Sequence, residues 1–302
     1  MSETSKETGK GLSDWLRWQI PKMVVAPTFA LIVFFVYGFI AWTGYVSLTK
    51  SRMLPNYSFE GFYQYIRLWK ISTWSVAMEN LLIFGGLFIG ISIVLGCLLA
   101  VALDQKIRAE GALRTVYLYP MAISLIVTGT AWKWILNPGL GLERLVQSWG
   151  WESFEFNWLI SNELAIYTLV IAAVWQSSGF VMALFLAALR GVDSEIIKAA
   201  YLDGASLSRI YLVIILPTLR PVFLSSLFIL AHMAVKSFDL VVALTGGGPG
   251  NSSILPANFM YEMTFRRNQL GLGAASAMMM LATVMAIVIP YLYSELRERK
   301  NG

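Results

Sequence analysis

"KAAYLDGASLSRIYLVIILP", residues 198–217, decides how the chain is read. Two alanines, Asp203-Gly204 and Ser206 stand ahead of an apolar run that closes on Leu216-Pro217. Glycine takes the positive φ that ends a helix, a small or hydroxyl residue opens the next one, and proline stops an apolar run from continuing unchanged. The pattern predicts a first short helix in "DSEIIKAAYLD" (193–203), a turn at Gly204, and a second helix from Ala205 or Ser206. Ala199 and Ala200 keep the first helix shallow, and Asp203 is placed to accept backbone N–H bonds at the turn. The flanking segments, 164–189 and 221–244, are long and apolar. A loop between two membrane spans needs only solvated residues, so an ordered hairpin asks for a reason. Docking of a rigid partner and an ordinary ordered loop are equally compatible with the local pattern.

Composition agrees with a membrane setting. Of 302 residues, 57% are hydrophobic and 14% charged, and the mean hydropathy is +0.63. A soluble domain carries about 25% charged residues. Net charge is +5, but Lys and Arg are dispersed around apolar runs, which fits orientation in a membrane and not nucleic-acid binding. The single cysteine, Cys97, can form no internal disulfide and reads as a small buried side chain.

A helix crosses the bilayer core with about 20 apolar residues. Six such runs are present: 25–47, 79–103, 115–137, 164–189, 221–244 and 273–294. The polar start, residues 1–24, has no cleavage signal and carries Lys6, Lys10, Arg17 and Lys22. With both termini in the cytoplasm, fourteen Lys and Arg lie inside, seven outside, and Lys133 and Lys236 within spans. That bias orients the chain N-in and C-in, with residues 296–302 as the cytoplasmic C-terminal tail, and puts the hairpin in the cytoplasm. The fold expected is an all-α integral membrane protein of six transmembrane helices, with a cytoplasmic hairpin between the fourth and fifth. "NPGLGLERLVQSWGWESFEFNWLI" has the aromatic content of a segment at the water–lipid boundary, and "LTGGGPG" ends the fifth span. Gly86 and Gly90 form a GxxxG, which suits close helix approach as well as it suits plain small residues.

Catalytic signatures are missing. No G-x-x-x-x-G-K-[ST] phosphate cradle is encoded, and a single histidine, His232, allows no His-based metal site or triad. Asp239 is the main acidic residue within a span and stands three positions from Lys236 on one helical face, so the two are expected to form a coupled pair. A stand-alone ion-coupled carrier usually shows unpaired carboxylates near the midplane, so that alternative draws little from these residues. A membrane-embedded enzyme draws less.

The hairpin resembles the loop of integral-membrane subunits of ATP-binding-cassette importers: E-A-A, three residues, Gly, nine residues, Ile-x-Leu-Pro. Ala199, Ala200, Gly204, Ile214, Leu216 and Pro217 match, while Lys198 stands where Glu is the rule. "WQSSGFVMALFLAALRGVDSEI" and "KSFDLVVALTGGGPG" also look like carbohydrate permeases of the maltose-type group. "YPMAISLIVTGTAWKWILNPGLGLERL" is most similar to glucose/mannose import permeases. The similarity spans a permease core at about 75–295. It implies a subunit without its own ATPase site, and a coupling loop, 191–217, that includes Glu195, Lys198 and Asp203 and seats on a separate ATPase. It further implies two copies of that ATPase as the users of ATP, a second and different permease chain, and an extracytoplasmic sugar-binding protein. The location implied is the bacterial inner (plasma) membrane. No metal or cofactor is expected on this chain, and lipid but no nucleic acid among its partners.

A sugar path should combine aromatic faces with hydrogen-bonding groups. Trp132, Lys133, Trp175, Gln176, Ser177, Lys236 and Asp239 are the candidates, each with packing or a structural ion pair as the plainer alternative. Intramembrane charges carry more weight here, because exposure to lipid penalises them.

Overall fold

The computed structural model describes residues 8–52, 56–105 and 107–301. Residues 1–7 of the polar start, 53–55 of the first loop, Lys106 of the basic cluster and Gly302 lie outside the described residues. Among the described residues every regular element is helical, with one isolated bridge between Thr49 and Phe59.

Helix α1 (Thr8–Ile32) runs through a π turn (Val33–Tyr37) into Gly38–Ser47. A short α2 (Tyr63–Trp69) leads to α3 (Ser72–Asp104), the longest helix, and then α4 (Glu110–Leu118) and α5 (Leu125–Ile135) follow. After α6 (Leu142–Ser148) comes α7 (Ala165–Leu189), apolar on all sides and largely buried. The hairpin consists of α8 (Ser194–Leu202) and α9 (Leu207–Thr218). The remaining helices are α10 (Arg220–Val235), α11 (Asp239–Leu244), α12 (Pro256–Tyr261) and α13 (Leu270–Asn301).

Among the described residues, four helices are long and apolar enough to cross a membrane unbroken: Lys22–Ser47, Ser72–Asp104, Ala165–Leu189 and Leu270–Pro290. The expected third and fifth spans are not continuous helices. The third bends by 101° between Ala122 and Leu125, just after Pro120 and a short 3-10 turn. Proline removes one helix hydrogen bond and crowds the preceding turn, which explains the bend. The expected fifth span stops at Val235 and resumes at Asp239, with a 64° bend between α9 and α10 as well.

The core sits where α3 crosses α7. Phe84 and Phe88 stack at 5.5 Å, and with Leu169, Met182 and Phe185 they are almost fully buried. A Cβ on Gly96 would stand 2.6 Å from Val181 Cβ and 2.9 Å from Met182 N, so the crossing requires glycine there. The GxxxG pair does not serve this purpose. Gly86 and Gly90 have open space where a Cβ would go. Cys97, expected to be buried, is half-buried at the edge of the core. In contrast to α7, the chain is exposed at every position from Lys22 to Trp42.

Candidate functional site

The hairpin is built by local capping. Asp193 Oδ1 accepts from Glu195 N at 2.9 Å and so caps the start of α8. At the other end Gly204 has φ +76°, Gly204 N donates to Tyr201 O, and Ala205 N donates to Ala200 O, both at 3.0 Å. This is a Schellman closure, which needs a residue tolerant of positive φ at the glycine position. Asp203 plays a different part from the one expected. Among the described residues its carboxylate accepts no backbone hydrogen bond, because the Schellman bonds already satisfy the turn and Asp193 does the capping. Lys198 Nζ lies 2.8 Å from Glu195 Oε1 on the exposed face of α8.

One side of the hairpin joins the membrane core. Ala200, Ile210, Ile215 and Leu219 are buried in the same apolar cluster as Leu103 of α3 and Leu189 of α7, and Ile214 packs against it. Polar contacts add to the seam: Tyr211 Oη donates to Asp104 Oδ2 at 2.8 Å and accepts from Gln105 Nε2 at 3.1 Å. Nearby, Arg190 Nη2 lies 2.6 Å from Glu110 Oε1, tying α7 to α4. The other side is bare. Leu202 at the tip is 89% exposed, with Ile196, Tyr201 and Leu207 about half exposed and Ala199 and Pro217 also at the surface. Exposed apolar side chains concentrated on an ordered element mark a surface for a protein partner. Leu216 is half-buried beneath it.

The residues expected along a sugar path fall into three surroundings. Trp132 and Trp175 meet edge to face, 5.9 Å apart, in an apolar cavity of about 580 Å³ that Leu95 and Pro120 also line. Gln176 and Ser177 are buried in α7. Gln176 Nε2 donates to Ile123 O at 2.8 Å, filling a carbonyl that the bend of the third span leaves without a helical partner. Lys133, Lys236 and Asp239 are exposed. The expected Lys236–Asp239 ion pair does not form, because the helix is interrupted at Ser237 and Phe238 and the i,i+3 neighbourhood is lost. His232 is exposed on α10. The sequence reading missed Asp104 and Tyr211, whose link only the fold creates, and Asp193, for which "DSEI" was a legible capping signal.

Among the described residues the chain is all-helical, with a capped hairpin and two bent spans. Residues 92–299 match the model of the binding-protein-dependent transport system inner membrane component family, and the chain belongs to that family. A probable ABC transporter permease protein of Pyrococcus horikoshii is 36% identical over 273 residues, covering 90% of this chain and 94% of the relative. The xylose/arabinose import permease protein XacH of Haloferax volcanii is 32% identical over 296 residues, covering 95% and 90%. The trehalose/maltose transport system permease protein MalF of Thermococcus litoralis is 27% identical over 275 residues, covering 89% and 91%. The crystal structure of a bacterial ABC transporter that imports the acidic polysaccharide alginate shares the fold. Its TM-score is 0.81 at 18% identity, over 95% of this chain and 99% of that one. The chain is therefore a membrane-spanning ABC permease subunit, a transport component and not an enzyme.

Proposed function

We propose that this chain is one of two permeases in an ATP-driven sugar importer, and that α8–α9 is where a separate ATPase docks. The observation that carries the docking is the two-sided hairpin, buried against α3 and α7 on one side and apolar and bare on the other. Closure of two ATPase copies on nucleotide then moves the hairpins and switches the permease pair between inward and outward openings. ATP acts only through its partners' different affinity for the two states. Sugar as the substrate class rests on the permease relatives named for xylose/arabinose and for trehalose/maltose import. A glucose/mannose-type monosaccharide is the substrate the resemblance of residues 119–145 favours.

A second, different permease chain and an extracytoplasmic sugar-binding protein complete the assembly, in the plasma membrane with both termini cytoplasmic. Lys133 is exposed on α5, one half of a bent candidate span, while Lys236 and Asp239 are exposed at the interruption that follows α10. A charge facing lipid at mid-depth costs about 2.5–3.5 kcal/mol, so these three side chains belong against the second permease or the aqueous path. The stretch from Lys22 to Trp42, apolar and exposed throughout, suits lipid or that same partner. Purification in mild detergent tests the assembly. The expected result is recovery of an ATPase and a second permease with this chain; recovery of the chain alone, with uptake intact, would sink the proposal.

A further inference from the structure

A second cleft lies far from the hairpin and contains none of the residues expected on the sugar path. From Arg220, α10 carries the chain about 24 Å at ~1.5 Å per residue before it unwinds after Val235. The cleft opens beside that unwound stretch, with a volume of about 350 Å³. Phe238, Val242, Asn258, Tyr261, Glu262 and Arg266 line it.

The lining has two chemistries. The Phe238 and Tyr261 rings lie 4.9 Å apart at 46°, and the Phe265 ring continues the ledge 5.1 Å further on. Around this ledge stand polar groups with unused capacity. Asn258 Nδ2 donates to Phe238 O at 3.4 Å, while its Oδ1 is buried without a partner. Glu262 Oε1 receives Arg267 Nε at 2.9 Å and Nη2 at 2.7 Å, which fixes the carboxylate and leaves Oε2 as an acceptor. Arg266 is exposed and makes no ion pair among the described residues.

The glycine-rich wall behind the ledge is rigid. Ser253 Oγ lies 2.8 Å from both Thr245 Oγ1 and Gly248 O, and Asn80 Nδ2 of α3 donates to Ile254 O at 3.0 Å. A purely apolar guest would leave Glu262 Oε2, Asn258 Oδ1 and the Arg266 guanidinium unused. A metal ion would find one carboxylate, already forked by arginine, and no use for the ring ledge. A pyranose offers an apolar C–H face for the rings and a rim of hydroxyls for Asn258, Glu262 and Arg266. The volume falls in the range of small-molecule sites, about 300–1,000 Å³.

We infer that this cleft is a saccharide-binding site at the end of the permease opposite the hairpin, a station that receives sugar before it reaches the path between the two permeases. The inference rests on the sugar-importer reading above. Saturation-transfer NMR on the full-length chain in lipid nanodiscs tests it, with glucose, xylose and maltose as probes. Transfer to at least one sugar is expected, falling about fivefold in Tyr261→Ala and in Arg266→Ala, both at exposed positions. Tyr261→Trp should restore it, since the ring face returns. No transfer to any of the three sugars, or undiminished transfer in both alanine variants, overturns the site. Uptake by cells carrying the whole importer separates the two readings. Sugar uptake without transfer at the cleft sinks the cleft alone, whereas transfer that depends on Tyr261 with no uptake of any probe sinks the importer reading and leaves the cleft standing.

Discussion

Gly204 and Lys198 sit six residues apart on one hairpin and answer to different physics. Gly204 holds φ +76°, a region in which a β-branched residue costs about 1–3 kcal/mol. Nothing lies within 4 Å of the Cβ position, so the penalty is of backbone origin and not a clash. Gly204→Val is expected to lower uptake at least several-fold while the protein still inserts in the membrane at wild-type amounts. Lys198, by comparison, makes an exposed i,i+3 contact with Glu195, worth at most about 1 kcal/mol. Lys198→Glu should keep most of the uptake, although it sets like charges at the two positions. Comparing uptake at equal expression decides the matter: a dead Lys198→Glu beside a normal Gly204→Val would mean charge matching and not backbone shape. Tyr211 is the third residue of interest, because its hydroxyl bonds to Asp104 and joins the hairpin to the end of α3. Tyr211→Phe removes a bond to a carboxylate, worth about 1.5–3 kcal/mol when well buried and less at this half-exposed site. Uptake should fall while ATP hydrolysis by the assembled importer continues; uptake and hydrolysis falling in strict proportion would show that the contact carries no transmission.

At the scale of elements, the crossing of α3 over α7 is the joint on which the body depends. Gly96 brings the two helices together against Val181 and the backbone of Met182, and backbone cannot swing aside as a flexible side chain can. Gly96→Leu overpacks this joint by a whole side chain, where added methylenes typically cost about 1–3 kcal/mol and occasionally more. Thermal unfolding of the purified chain should shift down by several degrees, and Gly86→Leu, with open space at its Cβ position, should leave it near wild type. Equal shifts would show that α3 does not pack on α7 through Gly96. The broken spans were legible to different degrees. Pro120 announces the bend of the third span by its missing N–H, yet an apolar run long enough to cross a bilayer masks that signal. The interruption at Lys236-Ser237-Phe238 contains neither glycine nor proline, so no local rule marks it. There α11 packs against α5, and tertiary contact sets where the helix stops.

At the scale of the whole molecule, the proposed importer makes this chain a transmitter driven by a separate ATPase. No phosphate cradle is encoded, so the purified subunit should neither bind nor hydrolyse ATP; saturable nucleotide binding by the isolated chain would overturn the division of labour. Sequence by itself determined the membrane class, the apolar runs, the helix–turn–helix at 193–217 and the family. These depend on composition, on turn chemistry at Gly204 and on short-range spacing, all of which act within a few residues. The tertiary structure alone decided which of the polar residues in the apolar runs are neighbours. Gln176 holds the bent third span at Ile123, Lys236 and Asp239 part where α10 ends, and Phe238, Asn258 and Tyr261 converge on a cleft from segments some twenty residues apart. Such meetings depend on helix breaks and on the packing of remote helices, and a helical period counted along one apolar run assumes that the helix never breaks.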